Sequence, residues 1–309
     1  MPPRDEARGV ETVRINRREL LRLAALASTG LAGVLLFGCG GEEIEQETPT
    51  QVPTSTVAPS GFFDSDGVKI HYETFGHGKP IVLVHGFSSN LNDNWVRTGW
   101  VETLEPVRWV VALDCRGHGQ SDKPHDPDAY GDENMSQDVL RLMDHLNIGK
   151  ADLFGYSMGA GIATYLLAHH RDRFTSVVLG GTGDNSQFSG TVFGTTIADA
   201  LLAKDPSQIT NPVAKVFRAF AELDPNNDLE ALAACALRLL SPIDPADLAK
   251  VGIPVLIVDG ENDVLARNPD QLAAAIPGAR LVIIPDRDHL TVVPDPRFKQ
   301  EVLAFLEQQ

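Results

Sequence analysis

Gly155-Tyr156-Ser157-Met158-Gly159 follows a short apolar run, Ala151-Asp152-Leu153-Phe154, and precedes a helix-like one, Ala160 to Ala168. A strand, a G-x-S-x-G turn and a helix in that order present a serine on a strained backbone at the carboxyl end of a sheet. The turn is too tight for bulky neighbours, so glycines stand two residues to either side of the serine. The helix starting at Met158 aims its N-terminal amides at the same spot, where a developing negative charge is stabilised. Alone, the motif is equally a glycine-rich turn with an idle serine, and its partners must decide.

A serine hydroxyl acts as a nucleophile only beside a base, and the base needs an orienting acid. Downstream, Pro254 to Val258 reads as a buried strand that runs into an acidic loop, Asp259-Gly260-Glu261-Asn262-Asp263. Ala279 to Pro285 reads as another, followed by Asp286-Arg287-Asp288-His289. Serine, aspartate and histidine thus occur in that order, each just past a strand. The candidate catalytic residues are Ser157, Asp263 and His289, with Asp259 open as a rival acid. Asp286 and Asp288 are too near His289 in sequence to reach its far side. Met158 offers a backbone N–H to an oxyanion. His118, His145, His169 and His170 read as structural, and His85 is placed to shape the oxyanion loop yet lacks an acid partner in the pattern.

From about Gly61 onward the chain resembles the α/β-hydrolases of the esterase, haloperoxidase-like and C–C-hydrolase group. The resemblance rests on Val84-His85-Gly86-Phe87, Asp114 to Asp122, the serine turn, Gly260 to Asp263 and Asp288-His289-Leu290-Thr291, in family order. It implies an α/β fold, with a mostly parallel doubly wound sheet and a helical cap insertion. It implies the backbone N–H of Phe87 as the second oxyanion donor and favours Asp263 as the acid. Serine at the turn excludes the haloalkane dehalogenases and epoxide hydrolases, which use aspartate there. The expected function is a serine hydrolase acting by acyl transfer on a small or medium carboxylic ester. C–C bond hydrolysis, perhydrolase or haloperoxidase-like chemistry, and a non-catalytic binding lipoprotein are the alternatives.

Seven strands are expected: Val68–Phe75, Ile81–Val84, Trp109–Leu113, Asp152–Phe154, Ser176–Leu179, Val255–Val258 and Leu281–Ile284. Most are apolar without alternation, as buried parallel strands are. Helices are expected at Met135–Leu146 and Phe298–Glu307. Residues 184–250 break the alternation with helical stretches, Thr195–Ala203, Pro212–Leu223 and Leu229–Leu240, which read as a cap. Phe188, Phe193, Phe217 and Phe220 either line an apolar acyl pocket or pack the cap onto the body; Trp95 and Trp100 share that ambiguity.

The N-terminus reads as an export signal, residues 1–38. Asn16-Arg17-Arg18 resembles a twin-arginine signal. An uncharged apolar run, Leu23–Gly38, follows and is shorter than the ~20 residues needed to span a bilayer. Leu36-Phe37-Gly38-Cys39 resembles a lipobox with Cys39 as the lipid acceptor. Residues 39–60, acidic and then Pro/Thr-rich, read as a disordered tether, leaving 61–309 as the hydrolase domain. The implied location is the bacterial cell envelope, with the protein membrane-anchored on the extracytoplasmic side.

The net charge of −16 among 309 residues opposes nucleic acid as a partner. No His-Glu-x-x-His, Cys-x-x-Cys or phosphate loop occurs, so neither cofactor nor metal is expected. Gly159-Ala160-Gly161 is helix-packing glycine rather than a dinucleotide fingerprint. The expected partner is a small ester-like molecule, and the oligomeric state is open. Cys115 and Cys235 are expected as separate half-buried thiols.

Overall fold

The computed structural model describes residues 60–183, 192–238 and 243–309. The chain divides into two units, Met1–Thr54 and Ser55–Gln309, and all described residues belong to the second. The signal, Cys39, nearly all of the expected tether, and Phe188 lie outside the described residues.

Eight strands form one sheet: β1 (Ser60–Ser65), β2 (Val68–Gly76), β3 (Pro80–Val84), β4 (Trp109–Leu113), β5 (Ala151–Tyr156), β6 (Phe174–Gly180), β7 (Val255–Gly260) and β8 (Arg280–Ile284). Their spatial order is β1-β2-β4-β3-β5-β6-β7-β8. β2 runs antiparallel to both neighbours, and every pairing from β4 to β8 is parallel. Each expected strand is present, most of them one or two residues longer. β1 was not expected; it starts at Ser60, the last residue assigned to the tether.

The central strands β3, β4, β5 and β7 are buried along nearly their whole length. Both faces are therefore covered, which explains the unbroken Val/Ile/Leu runs. On one face pack α2 (Asp132–His145) and α3 (Met158–His170), with Met143, Leu166 and Leu167 against Leu153 and Val177. On the other pack α1 (Trp100–Leu104) and α9 (Pro296–Leu306). Trp95 and Trp100 resolve as packing residues here. Both are 0% exposed, and Trp100 meets Phe154 and Phe298 edge-on at 4.8 and 4.9 Å. Cys115 and Cys235 are free thiols, and both are fully buried rather than half-buried.

Between β6 and β7 lies the helical insertion: α4 (Val192–Leu202), α5 (Pro212–Ala221), α6 (Leu229–Leu237) and the single turn α7 (Pro245–Leu248). The starts of α5 and α6 are capped, since Asn211 Oδ1 accepts from Ala214 N–H and Asp228 Oδ1 from Glu230 and Ala231 N–H. Such caps contribute about 1 kcal/mol each. Ile197, Leu201, Ala214, Ala221 and Leu232 form an apolar cluster of the insertion's own, with Phe87, Phe193 and Phe217 packed against it. Phe220 is half-buried. Polar contacts join insertion and body at the rim: Asn90 Nδ2 donates to Asp224 (3.2 Å), and the His125 ring lies between Asp228 (2.9 Å) and Glu230 (3.3 Å).

One charged side chain sits inside the sheet. Asp152 of β5 is 0% exposed and takes hydrogen bonds from Arg108 Nε (2.9 Å), Ser176 Oγ (2.8 Å) and Thr175 Oγ1 (2.5 Å). The same guanidinium donates from Nη2 to the Leu306 carbonyl at 2.7 Å, so the pair ties β5 to the C-terminal end of α9. Removing one partner of a buried pair leaves a charge with no compensation, which costs about 3–5 kcal/mol. Asp152→Ala is expected to lower the unfolding free energy by that amount in urea denaturation, and a loss under about 1 kcal/mol would contradict this account.

Candidate active site

Ser157 stands between β5 and α3 with φ 53° and ψ −112°, outside the regions open to an L-residue at low cost. Such backbone strain costs of order 1–3 kcal/mol and must be held from outside. The Ser157 N–H donates to the Gly180 carbonyl (2.8 Å) and the Ser157 carbonyl accepts from Gly161 N–H (3.0 Å). The flanking glycines are required by contact. A Cβ on Gly155 would sit 2.2 Å from the Gly159 carbonyl oxygen, and one on Gly159 would sit 2.0 Å from that of Val84.

His289 and Asp263 come to this serine from two other strand ends. Asp263 lies in the loop after β7. Its N–H donates to the Gly260 carbonyl (3.0 Å), and its Oδ1 accepts from Leu265 and Ala266 N–H (2.8 and 2.9 Å). Oδ2 is left for His289 Nδ1 at 2.7 Å, while His289 Nε2 lies 2.9 Å from Ser157 Oγ. Burial opposes the charge on Asp263, but His289 and the two amides outweigh it and hold its carboxyl below the ordinary carboxylate range. An ionised carboxylate only accepts, so Nδ1 carries the proton and Nε2 offers a lone pair to the serine hydroxyl. Burial works against the cationic form of His289; Asp263 outweighs it and raises the imidazole above its ordinary value. The Asp263 side chain is 0% exposed and that of His289 14%, so the solvent-facing end of the series is the serine end.

Asp259, the rival acid, points elsewhere. It is 1% exposed, and its Oδ1 accepts from Thr182 N–H at 2.8 Å. Burial, reinforced by the negative charge of Asp263, pushes its carboxyl well above the carboxylate range. Two carboxyls four residues apart are thus driven in opposite directions, Asp263 towards the ionised form and Asp259 towards the protonated one. Asp288 turns its Oδ1 to the N–H groups of Leu290 and Thr291 (3.0 and 2.9 Å) and shapes the His289 loop.

The loop after β3 borders the serine: a Cβ on Gly86 would lie 3.3 Å from Ser157 Cβ. Its orientation is fixed by His85, whose Nδ1–H donates to the Gly86 carbonyl (2.8 Å) and whose Nε2 accepts from Cys115 N–H (2.9 Å). In a trans peptide the N–H points opposite to the carbonyl. With the Gly86 carbonyl held by His85, the Phe87 N–H faces away from that bond. Among the described residues no acceptor takes the N–H of Phe87 or of Met158. His85, expected from the sequence to shape this loop without an acid partner, is the part that sets this peptide.

Two further supports had no clear signal in the sequence. Tyr156 donates its hydroxyl to the His289 carbonyl, which fixes the backbone of the base. Asp114 Oδ1 accepts from Leu91 N–H (2.8 Å), and its Oδ2 accepts from Gln120 N–H and His71 Nδ1–H (both 2.9 Å). Burial opposes that charge, and His71 outweighs it, so the carboxyl stays below its ordinary range. Asp114 thereby joins the loop after β3 to the loop after β4. The Asp114–Asp122 motif marked the place without revealing the contact. No group of three or more His, Cys, Asp or Glu able to hold a metal occurs among the described residues, and none of their helices is long and apolar enough to cross a membrane.

Residues 79–246 match the model of the alpha/beta hydrolase fold family. The chain is 32% identical over 247 residues to the dihydrolipoyllysine-residue acetyltransferase component of the acetoin cleaving system of Pseudomonas putida. That match covers 75% of this chain and 64% of the relative's length. It is 26% identical over 277 residues to a non-heme chloroperoxidase of Kitasatospora aureofaciens, covering 79% of this chain and 98% of the relative. The crystal structure of the enol-lactonase of Burkholderia xenovorans superposes with a TM-score of 0.65 at 25% identity, covering 80% of this chain and 100% of that one. With a sheet of this order, a helical insertion after β6 and a family match over more than half its length, the chain belongs to the alpha/beta hydrolase fold family.

Proposed function

We propose that the protein is a serine hydrolase that cleaves small carbonyl compounds through a covalent acyl intermediate on Ser157. The observation that carries this reading is the unbroken hydrogen-bonded series Asp263–His289–Ser157, at 2.7 and 2.9 Å. Ser157 Oγ bonds to the carbonyl carbon while its proton passes to His289 Nε2, and the imidazolium is stabilised by Asp263. The N–H groups of Phe87 and Met158 donate to the oxyanion. The imidazolium then protonates the leaving group, water attacks the acyl carbon with His289 as base, and Ser157 is restored.

The bond broken is the finer question. A dedicated carboxylic-ester hydrolase is the simplest user of this triad. The chloroperoxidase relative supports the wider alternative better, perhydrolase-like chemistry or C–C bond hydrolysis run by the same serine, while the enol-lactonase, which acts on a cyclic ester, sits with the ester reading. In C–C hydrolysis the imidazolium proton goes to the departing carbon; in perhydrolysis hydrogen peroxide replaces water at the acyl intermediate. A panel of a p-nitrophenyl ester, a vinylogous diketone, and acetate with hydrogen peroxide separates the three. We further propose, from Arg17-Arg18, Leu23–Gly38 and Cys39, that the enzyme is exported and held on a membrane by a lipid on Cys39.

A fluorophosphonate probe is expected to label the wild-type chain at Ser157, and Ser157→Ala is expected to lose both labelling and turnover. Labelling of that variant at the wild-type level would remove the proposal. Asp263→Asn is expected to lower kcat by about 10⁴, the magnitude seen when a triad acid is neutralised with its geometry kept. Asp259→Asn, which changes a carboxyl that faces Thr182 N–H rather than His289, should stay within about tenfold of wild type.

The pH dependence has a fixed sign. His289 must be neutral to act as base, and Asp263 raises its pKa above the ordinary value. Activity should therefore fall as the pH drops through a point above about 6.5. Asp263→Asn should move that inflection downward in a kcat/KM–pH profile of the residual activity.

For placement, Cys39→Ser is expected to abolish detergent-phase partitioning after expression in a bacterial host, and Arg17→Lys with Arg18→Lys to block export. A wild-type chain that is exported yet stays in the aqueous phase would refute the anchor.

A further inference from the structure

Gly86 joins two peptide planes, and each plane is held by a different side chain. The Gly86 carbonyl accepts from His85 Nδ1–H at 2.8 Å and from Ser89 N–H at 3.2 Å. The Gly86 N–H donates to Asn94 Oδ1 at 3.0 Å. Glycine turns more freely about φ and ψ than any other residue, so neither plane fixes the other. The Phe87 N–H assigned above to the oxyanion lies in the second plane. That plane, held at its carbonyl alone, can still rock about those bonds. Ser88, just past the donor, has φ 59°. Backbone in that region is strained for a serine, so this turn keeps its shape only when the surrounding structure holds it.

Asn94 reaches Gly86 from a segment with unusual geometry of its own. It is 7% exposed and lies at the centre of a π-helical turn, Asn92–Val96, in which Arg97 N–H donates to the Asn92 carbonyl at 2.8 Å. Turns of that width are rare and frequently sit at functional sites. The segment is anchored on both sides of Asn94. Leu91 N–H donates to Asp114 Oδ1 at 2.8 Å, just past β4, and the Trp95 ring packs on Phe154 of β5 with centroids 4.8 Å apart. The Asn94 N–H donates to the Asn90 carbonyl at 3.0 Å, and its carbonyl accepts from Thr98 Oγ1 at 2.6 Å. Asn94 Nδ2, in contrast, is buried with no partner among the described residues. Leucine, of similar size, would fill the space without leaving a donor bare. What asparagine adds there is the one bond to Gly86.

We propose that Asn94 is a positioning residue for the oxyanion site. It holds the His85–Gly86 peptide so that the next one, Gly86–Phe87, presents its N–H to the tetrahedral intermediate on Ser157. The inference rests on the reading of Ser157 as the nucleophile. A Cβ on Gly86 would lie 3.3 Å from Ser157 Cβ and 3.6 Å from Asn94 Oδ1, so this one glycine stands between the two side chains. Without Oδ1 the Gly86 N–H becomes a buried donor with no acceptor, and turning the peptide relieves it. The loss then falls on the state that bears the negative oxygen rather than on substrate binding.

The test compares the full-length chain with its Asn94→Leu variant in three measurements. The first is kcat/KM on a p-nitrophenyl ester. The second is inhibition by an alkyl trifluoromethyl ketone: Ser157 Oγ bonds to the carbonyl carbon, the serine proton passes to His289 Nε2, and the carbonyl oxygen becomes the alkoxide that the two N–H groups receive. The third is calorimetric binding of a matching alkyl amide, whose carbonyl stays planar. Asn94→Leu is expected to lower kcat/KM roughly 10–100-fold and to weaken the ketone by the same factor, with amide binding within about threefold of wild type. If the leucine variant does not fold by circular dichroism, Asn94→Ala takes its place. Equal weakening of ketone and amide would make Asn94 a packing residue and overturn the proposal. So would turnover and ketone inhibition that stay at the wild-type level, and either result leaves the hydrolase reading standing. A wild-type chain whose Ser157 takes neither fluorophosphonate nor ketone would remove that reading, and this inference with it.

Discussion

The rest of this structure depends on how closely the start of α3 approaches the ends of β3 and β5. Gly159 lies so near the Val84 carbonyl that a single carbon more cannot be placed there, and Gly155 is as near to the carbonyl of Gly159. That closeness forces the chain through Ser157 with a backbone few residues adopt, and it sets the serine beside the Gly86–Phe87 peptide. The sheet does the holding: Ser157 N–H is fixed by β6 through the Gly180 carbonyl, so the strained residue is bonded on its sheet side. Tight packing of glycine, rather than any bond the serine itself makes, creates the geometry.

Around that point, charge is distributed by burial. Asp263 and Asp259 are close in sequence and both are hidden from water, yet their surroundings push one towards the ionised form and the other towards the protonated one. The difference lies in what each faces: an imidazole and two amides for Asp263, and mainly one amide together with the field of its neighbour for Asp259. Asp114 repeats the logic away from Ser157, its carboxylate gathering two loops and His71 with three hydrogen bonds. Buried carboxylates in this protein are organisers of backbone as much as reagents.

The sequence was most legible where a residue pattern has a single geometric meaning. The apolar runs named seven of eight strands, and the glycine pair with the order of serine, aspartate and histidine pointed to three strand ends that the structure brings within hydrogen-bonding distance. β1 was hidden because Ser60–Ser65 adjoins a Pro/Thr-rich stretch and has only one strongly apolar pair, Phe62-Phe63. The short helices α1 and α8 (Pro269–Ala275) were hidden by their length, although Asn268-Pro269 is a helix-start signal. The bracing roles of Tyr156 and Asp114 could not be read at all, since Tyr156 acts on His289, 133 positions away, and Asp114 on Leu91 and His71, 23 and 43 positions away. Contacts of that kind leave no period and no motif.

Helices α4 and α5 of the insertion pack on an apolar cluster of their own, while α6 gives Ala234 and Cys235, and α7 Leu248, to the cluster that covers one face of the sheet. Two kinds of change are thereby insulated from each other. Substitutions on the cluster-facing sides of α4 and α5 can change the insertion while Ser157, His289 and Asp263 keep their spacing, because none of those three is carried by the insertion. A lineage can explore new substrates in one module and leave the chemistry of the other untouched.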